Sequence, residues 1–134
     1  MQIFYLLHIF LEPPEIGPFS FSKEVMNEKD FAQISCIVTS GDKPLTITWT
    51  FHGESLEGKG LDNGISISNL GSRMSMLVID EVKHSHQGNY TCQASNKAGT
   101  RTHTARLVVN GKHNYVVGSQ EGIFQSNLLT NSNN

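Results

Sequence analysis

The chain has 134 residues, a length that suits one folded domain and is too short for two of ordinary size. Charged residues make up 16% and the formal net charge is −2. The chain therefore lacks both the basic field that holds nucleic acid and the acidic block that binds cations. Serine, threonine, asparagine and glycine take the place of charged residues, a bias that favours strands and turns over helices.

Residues 1–12 form an apolar segment that is too short to span a bilayer. It has no basic start and no small-residue cleavage site, so it departs from a complete signal peptide. We expect either a truncated leader or a flanking segment. Pro13 and Pro14 follow it, and two consecutive prolines stop a helix and favour extended chain. We predict that the globular domain covers residues 13–110.

Inside that domain, apolar residues recur at every second position, which is the period of strands with one buried face. Turn residues such as Gly41-Asp42 and Asn63-Gly64 separate the runs, and no helical period competes. The pattern predicts an all-β fold with two antiparallel sheets packed as a sandwich. The positions expected to face the core are Ala32, Ile34, Cys36, Val38, Leu45, Ile47, Trp49, Phe51, Ile65, Ile67, Leu77, Ile79, Val82, Tyr90, Cys92, Ala94, Ala105, Leu107 and Val109.

The same alternation predicts two different outer faces. One carries the outward residues Ile37, Met74, Met76 and Val78 and is partly apolar. Apolar residues rimmed by polar ones mark contact surfaces, and methionine adapts to a partner, so we predict that these four residues bind a protein. Ordinary strand surface is the alternative, because scattered exposed apolar residues are normal. The other outer face is uniformly polar, with Thr46, Thr48, Thr50, Asn89, Thr91 and Gln93.

Cys36 and Cys92 are the only cysteines, so one disulfide can form. A bridge closing that loop would stabilise the fold by about 4 kcal/mol in the loop-entropy model. In a cytosolic protein the same pair would remain two buried thiols. Both cysteines are expected on strands that face a common core, which favours the bridge and an oxidising, extracellular setting.

Trp49 follows the first cysteine by thirteen residues, and Tyr90 precedes the second by two. This arrangement resembles the immunoglobulin sandwich, and the stretches 77–82 and 88–99 are similar to intermediate-type (I-set) domains. Residues 18–21 (PFSF) and 41–49 (GDKPLTITW) resemble the Dscam family of adhesion molecules, most of all its seventh immunoglobulin domain.

The resemblance implies a Greek-key sandwich with a Cys36–Cys92 disulfide, and with Trp49, Tyr90 and Leu77 in the core. It implies a cell-surface module, held at the membrane through a longer parent chain, that serves neuronal adhesion and axon guidance. Its expected partner is a second copy of the same domain, bound through the sheet of strands A, B, E and D. A structural spacer in a longer receptor and a secreted immune recognition module remain the alternatives.

His86 departs from the family pattern, which has Asp at this position of Asp-x-Gly-x-Tyr-x-Cys. A neutral histidine would lose a surface ion pair worth about 0–1 kcal/mol, so we expect a weakened turn. His84 and His86 are not accompanied by a third ligand at metal-binding spacing, so we interpret them as a solvated turn.

Catalytic signals are weak in this chain. Asp80 and Glu81 are adjacent and so point to opposite sides of a strand, which does not suit paired carboxylates. We expect no enzyme activity, cofactor, metal or nucleic-acid partner. Asn89-Tyr90-Thr91 fits the N-glycosylation pattern, with an unmodified outward asparagine as the alternative. Residues 111–134 are rich in asparagine, serine and glycine, and we expect a disordered tail without a membrane span.

Overall fold

The computed structural model describes residues 10–58 and 63–111, within which eight strands and one 3-10 turn are formed. The predicted leader lies mostly outside these ranges, as does the predicted tail after residue 111. The strands are β1 (Glu15–Ile16), β2 (Ala32–Ser40), β3 (Thr46–Phe51), β4 (Glu54–Ser55), β5 (Ile65–Leu70), β6 (Met74–Ile79), β7 (Gly88–Asn96) and β8 (Gly99–Leu107), with the 3-10 turn at His84–His86.

The strands form two antiparallel sheets. The first sheet has the order β1-β2-β6-β5 and the second sheet the order β4-β3-β7-β8. The chain changes sheet after β2, after β4 and after β6. The four remaining pairs of consecutive strands, β1-β2, β3-β4, β5-β6 and β7-β8, are each hydrogen-bonded within one sheet. The predicted all-β sandwich of two antiparallel sheets is thereby confirmed.

The segment between β1 and β2 crosses from the first sheet to the second. Met26 pairs in parallel with Val109, donating its N–H to the carbonyl of Val108 at 2.8 Å and accepting from the N–H of Asn110 at 2.7 Å. Phe19 lies further along the same edge, where its ring centroid is 4.4 Å from that of His103 on β8. Contacts of this kind cover part of an edge strand that would otherwise expose unpaired backbone groups.

The core follows the predicted alternation along the central strands. Buried and less buried residues alternate from Ala32 to Val38 on β2 and from Met74 to Ile79 on β6. Of the positions predicted to face inward, Leu45, Ile47, Phe51 and Ile67 are only partly buried, because they lie near the rim of the sandwich. The other predicted inward positions are buried.

Cys36 and Cys92 form a disulfide across the core, with their Cα atoms 6.3 Å apart. Trp49 beside the bridge is fully buried, and its indole N–H donates to the hydroxyl of Ser75 at 2.9 Å. Ser75 is equally buried, although its inward position carries the only polar residue of β6. Hydrogen bonding satisfies both groups, and a buried polar pair of this kind is tolerated only when it is bonded.

The 3-10 turn is organised by His86, and here the sequence-based expectation of a solvated turn is wrong. His86 is only 3% exposed. Its Nδ1 accepts the N–H of Lys83 at 2.8 Å, and its Nε2 donates to the carbonyl of Asn63 at 2.6 Å. One accepting and one donating nitrogen is the pattern of a neutral imidazole. The ring thus links the turn to the start of β5 instead of only losing an ion pair.

Tyr90 completes this corner from the next strand. Its hydroxyl donates to the carbonyl of His86, four residues upstream, and its ring stacks on Phe51 at 4.6 Å. Burial raises the pKa of the Tyr90 phenol, so the hydroxyl keeps the proton that it donates. Leu77 is fully buried in the same core.

Two side chains hold the backbone of Glu12 where the chain enters the sandwich. Its N–H donates to the carboxylate of Asp42 at 2.6 Å, and its carbonyl accepts from the side chain of Asn96 at 2.7 Å. Gly41 lies below this segment with φ +120°, and a Cβ there would come within 2.7 Å of the Cα of Pro14. Glycine is required at that turn because any side chain would displace the incoming strand.

Candidate protein-binding face

Three of the four strands of the first sheet, β2, β6 and β5, have a register that aligns their outward side chains. Antiparallel pairing of β2 with β6, and of β6 with β5, places nine outward residues in three cross-strand rows. We call these nine residues the ladder face. Its rows are Ile37–Met74–Leu70, Ser35–Met76–Ser68 and Gln33–Val78–Ser66.

The first row is apolar across all three strands. Ile37 is 41% exposed and Leu70 is 52% exposed, while Met74 between them is half-buried. Side chains directly opposite in a sheet lie about 5 Å apart and contact one another. The row is therefore a continuous apolar ridge and not a set of scattered residues.

Met76 and Val78, the other two residues predicted to bind a partner, lie on the same face but are half-buried. Met76 sits between two serines, and Val78 sits between Gln33 and Ser66. All four predicted binding residues thus lie on one surface. Met76 and Val78 have polar cross-strand neighbours, whereas Ile37 and Met74 belong to the apolar row. Short serine side chains leave the flexible thioether of Met76 the largest group in its row.

The ladder face carries no ionisable side chain, because its nine positions are occupied by Ile, Leu, Val, Met, Ser and Gln alone. Charged residues border it, among them the exposed Glu15 on the neighbouring strand β1. Arg73 precedes β6 and donates to the carbonyl of Gly41 at 2.8 Å, and the exposed Asp80 follows β6. The nine positions themselves are therefore neutral, and charged groups lie only around them.

Two exposed residues were missing from the sequence-based prediction of this site. Leu70 is the most exposed member of the apolar row, and Phe31, 58% exposed, immediately precedes β2. A signal for both was present in the sequence. Alternation from Cys36 places Phe31 outward, and alternation from Ile65 and Ile67 leaves Leu70 outward.

The outer surface of the second sheet is different in kind. We call its outward residues on β3, β7 and β8 the threonine face: Thr46, Thr48, Thr50, Asn89, Thr91, Gln93, Ser95, Thr100, Thr102, Thr104 and Arg106. Cross-strand hydroxyls pair on it, with the Oγ1 atoms of Thr91 and Thr104 2.7 Å apart. Among the described residues, the large hydrophobic side chains that are exposed all lie elsewhere.

Other classes of site find little support in the part of the chain that the structure describes. Within residues 10–58 and 63–111, no three His, Cys, Asp or Glu side chains are grouped so that they could hold a metal ion. In the same ranges, no helix has the length and apolar character needed to cross a membrane.

Comparison with known proteins places this geometry in a family. The family model described as "Immunoglobulin domain" matches residues 13–96. The cell adhesion molecule Dscam1 of Drosophila melanogaster is 38% identical over 98 residues, which cover 73% of this chain and 5% of that protein. The cell adhesion molecule DSCAM of Homo sapiens is 36% identical over 121 residues, covering 89% of this chain and 6% of that protein.

Solved structures agree with these relatives. The Dscam1 Ig7 domain, isoform 5, matches with a TM-score of 0.69 and 39% identity over 73% of this chain and 97% of that one. A titin I-band fragment, I67–I69, matches with a TM-score of 0.64 and 24% identity over 74% of this chain and 33% of that one, which shows a shared fold alone. The chain spans about one twentieth of the length of the curated relatives it matches. It belongs to the immunoglobulin domain family and is homologous to the domains of Dscam cell adhesion molecules.

Proposed function

We propose that this immunoglobulin domain is the protein-binding module of a cell-surface adhesion protein, and that it binds a second copy of itself through the ladder face. The observation that carries the proposal is the apolar row Ile37–Met74–Leu70 within an uncharged surface. Homology to proteins named as cell adhesion molecules supports the adhesive role and, through the Dscam resemblance, a function in axon guidance. The disulfide supports an extracellular location, since such bridges persist in oxidising compartments.

The lack of charge on the ladder face favours a second copy over an oppositely charged ligand. In a two-fold contact the same patch is used twice, so a charge close to the two-fold axis lies next to its own duplicate. Juxtaposed like charges cost several kcal/mol at an interface. A neutral face avoids that penalty, and serine and glutamine can supply hydrogen bonds around the apolar row.

The positions of the exposed apolar groups also suit self-association. Phe31 and the apolar row lie at opposite ends of β2, about 20 Å apart at 3.3 Å per residue. A two-fold axis lying in the plane of the face and perpendicular to the strands would bring Phe31 of one copy onto the apolar row of the other. Two equivalent apolar contacts would then flank a central region around Met76.

The expected affinity is low because the face is small. Seven residues along the β2 line, from Phe31 to Ile37, and three strands give a projected area of about 330 Å². Even if side-chain relief doubles that area, it stays below the roughly 800 Å² per partner of a standard interface. We therefore expect a dissociation constant weaker than about 1 μM for the isolated chain. Neighbouring domains or clustering on a membrane would raise the avidity.

The first measurement is sedimentation equilibrium of the full oxidised chain over a wide concentration range. The second is an aggregation assay with beads that display the chain densely. We expect a concentration-dependent dimer and bead aggregation. Both should be lost in the double variant Met76→Lys/Val78→Lys. The matched control is Thr48→Lys/Thr50→Lys, which places two lysines with the same spacing on half-buried positions of an inner strand of the other sheet.

Each outcome has a defined meaning. The proposal is supported if the double variant Thr48→Lys/Thr50→Lys associates like the native chain and the double variant Met76→Lys/Val78→Lys does not. Association that survives in Met76→Lys/Val78→Lys assigns the contact to another surface. A monomeric native chain whose beads stay dispersed overturns self-binding and leaves a spacer domain. Thermal unfolding of every variant verifies that the fold is retained.

A further inference from the structure

We propose that Asn89 is an N-glycosylation site whose glycan stands at one corner of the threonine face and leaves the ladder face bare. Asn89, Tyr90 and Thr91 form the acceptor pattern Asn-x-Thr. The structure adds an exposed position for the acceptor asparagine, on the outer face of the sheet that does not carry the ladder face. Occupancy of the site can be tested independently of the self-binding proposed above.

Asn89 lies at a corner of the threonine face and not in its middle. On one side its partner on β8 is Arg106. On the other side β3 has already ended, and the backbone carbonyl of Asn89 accepts from His52 in the β3–β4 turn at 3.3 Å. Gly53 in that turn has no other atom within 4 Å of where a Cβ would stand. Asn89 itself is exposed, so a bulky branched sugar on its side chain can extend into solvent.

The amide group of Asn89 is only loosely engaged. Its Oδ1 accepts from the guanidinium of Arg106 at 3.4 Å, which is the long limit of a hydrogen bond, and within the described residues its Nδ2 makes none. Nδ2 is the atom that would carry the sugar. Asn89 and Thr91 share the outward face while Tyr90 is buried, so a glycan on Nδ2 would not disturb the core.

The transfer requires a lipid-linked pyrophosphate oligosaccharide as co-substrate, acting in the secretory pathway. Nδ2 of Asn89 forms a bond to the anomeric carbon of the first sugar while that carbon's bond to the pyrophosphate oxygen breaks. The lipid pyrophosphate leaves with the bonding electrons, and Nδ2 loses one proton. No oxidation or reduction occurs.

Folding competes with this transfer, and the structure shows why. Thr91 is paired on both sides in β7, with Thr50 on β3 and Thr104 on β8, and the next residue is the bridged Cys92. In the folded domain the acceptor pattern lies in a paired strand and cannot extend into an enzyme's active site. Modification must therefore precede closure of the disulfide, so delayed oxidation should raise the occupied fraction.

The first experiment measures intact mass and mobility of the full chain secreted from eukaryotic cells, before and after enzymatic removal of N-glycans. We expect a glycan on the native chain, with conversion of residue 89 to aspartate after enzymatic release. Thr91→Ser should keep the glycan, whereas Asn89→Gln and the nearly isosteric Thr91→Val should lose it. A native chain that carries no glycan, even when a mild reductant delays oxidation, overturns the proposal.

The second experiment tests whether the glycan leaves the ladder face bare. Gln33→Asn creates the acceptor pattern Asn-Ile-Ser on the ladder face with one substitution, as Ser66→Asn does on the neighbouring β5. A glycan at either position should abolish bead aggregation, whereas enzymatic removal of the Asn89 glycan should leave aggregation unchanged. If removing the Asn89 glycan changes aggregation, the proposal that this glycan leaves the ladder face bare is overturned. If no form aggregates, self-binding fails while the glycan at Asn89 stands on the mass measurement.

Discussion

Ser75 accepts a 2.9 Å hydrogen bond from the indole N–H of Trp49, across the gap between the two sheets. The strand register places this bond beside the disulfide. Ser75 lies directly opposite Cys36 on the first sheet, and Trp49 lies directly opposite Cys92 on the second. The hydrogen bond and the disulfide are therefore two adjacent links between the same four strands, one polar and one covalent.

Replacing Ser75 with alanine should destabilise the domain by about 1–3 kcal/mol, because the buried indole N–H would lose its acceptor. The measurement is urea unfolding of the oxidised chain, read as a shift in midpoint at unchanged slope. Ser68→Ala on the exposed edge strand is the control and should stay within about 0.5 kcal/mol of the native chain. A Ser75→Ala variant as stable as this control would contradict the role of the bond.

His86 should be a stabilising residue of the 3-10 turn. His86→Ala leaves the Lys83 N–H and the Asn63 carbonyl without the ring, and we expect a loss of about 1–3 kcal/mol. His86→Asp restores an acceptor for Lys83 but cannot donate to Asn63, so its loss should be smaller. Amide exchange at Lys83 distinguishes the variants: it should be fast with alanine and slow with aspartate or histidine. Equal exchange in all three would show that the ring does not hold this amide.

Asp30 should contribute a pH-dependent part of the stability. The N–H of Asn27 donates to its carboxylate at 2.9 Å and the Lys23 ammonium lies 2.9 Å away, and both lower the pKa of this carboxyl from its ordinary value of 3.8. A folded pKa below the unfolded one means that the contribution is complete above pH 3.8 and is lost as the pH falls through the folded pKa. Asp30→Asn should therefore lose more stability at pH 6 than at pH 2. A constant difference between the two chains across that range would contradict this account.

Leu70 should matter more for association than for stability. It is the most exposed member of the apolar row, so Leu70→Lys removes contact area from a partner while costing the monomer little. We expect a dissociation constant raised by about tenfold or more, the effect of losing roughly 1.4 kcal/mol at an interface. Val25→Lys is the matched control, since Val25 is similarly exposed but lies outside the ladder face. Equal effects of the two lysines would indicate a general influence of charge.

Much of the fold could be predicted from local pattern. A strand has a period of two, so once Cys36 is set inward, the phase of every residue on β2 follows, and Ile37 must face out. The cysteine, tryptophan and tyrosine positions are each required by packing around one bridge, which is why they indicated an immunoglobulin sandwich. Ser75 shows the limit of such reasoning, because a serine at an inward position of β6 carries no local sign of the indole that needs it.

His86 shows a second limit. Its chemistry as a donor and acceptor is a property of the residue, but its partner at Asn63 is twenty-three positions away in the chain. Only packing of the turn against the start of β5 brings the two together. The expectation from the sequence pattern compared only the charge of histidine with that of aspartate. It missed the hydrogen bond from the ring to the Asn63 carbonyl, which aspartate cannot donate.

By itself, the sequence determined which side chains face the core, which face outward, and that one outer face is partly apolar while the other is polar, because these depend on a strict two-residue period. The tertiary structure decided that Ile37, Met74 and Leu70 form one row, that Phe31 lies at the other end of the same surface, and that Asn89 occupies an open corner. Cross-strand register and strand ends depend on turns and long-range pairing, and a one-residue shift in pairing would have separated the same residues.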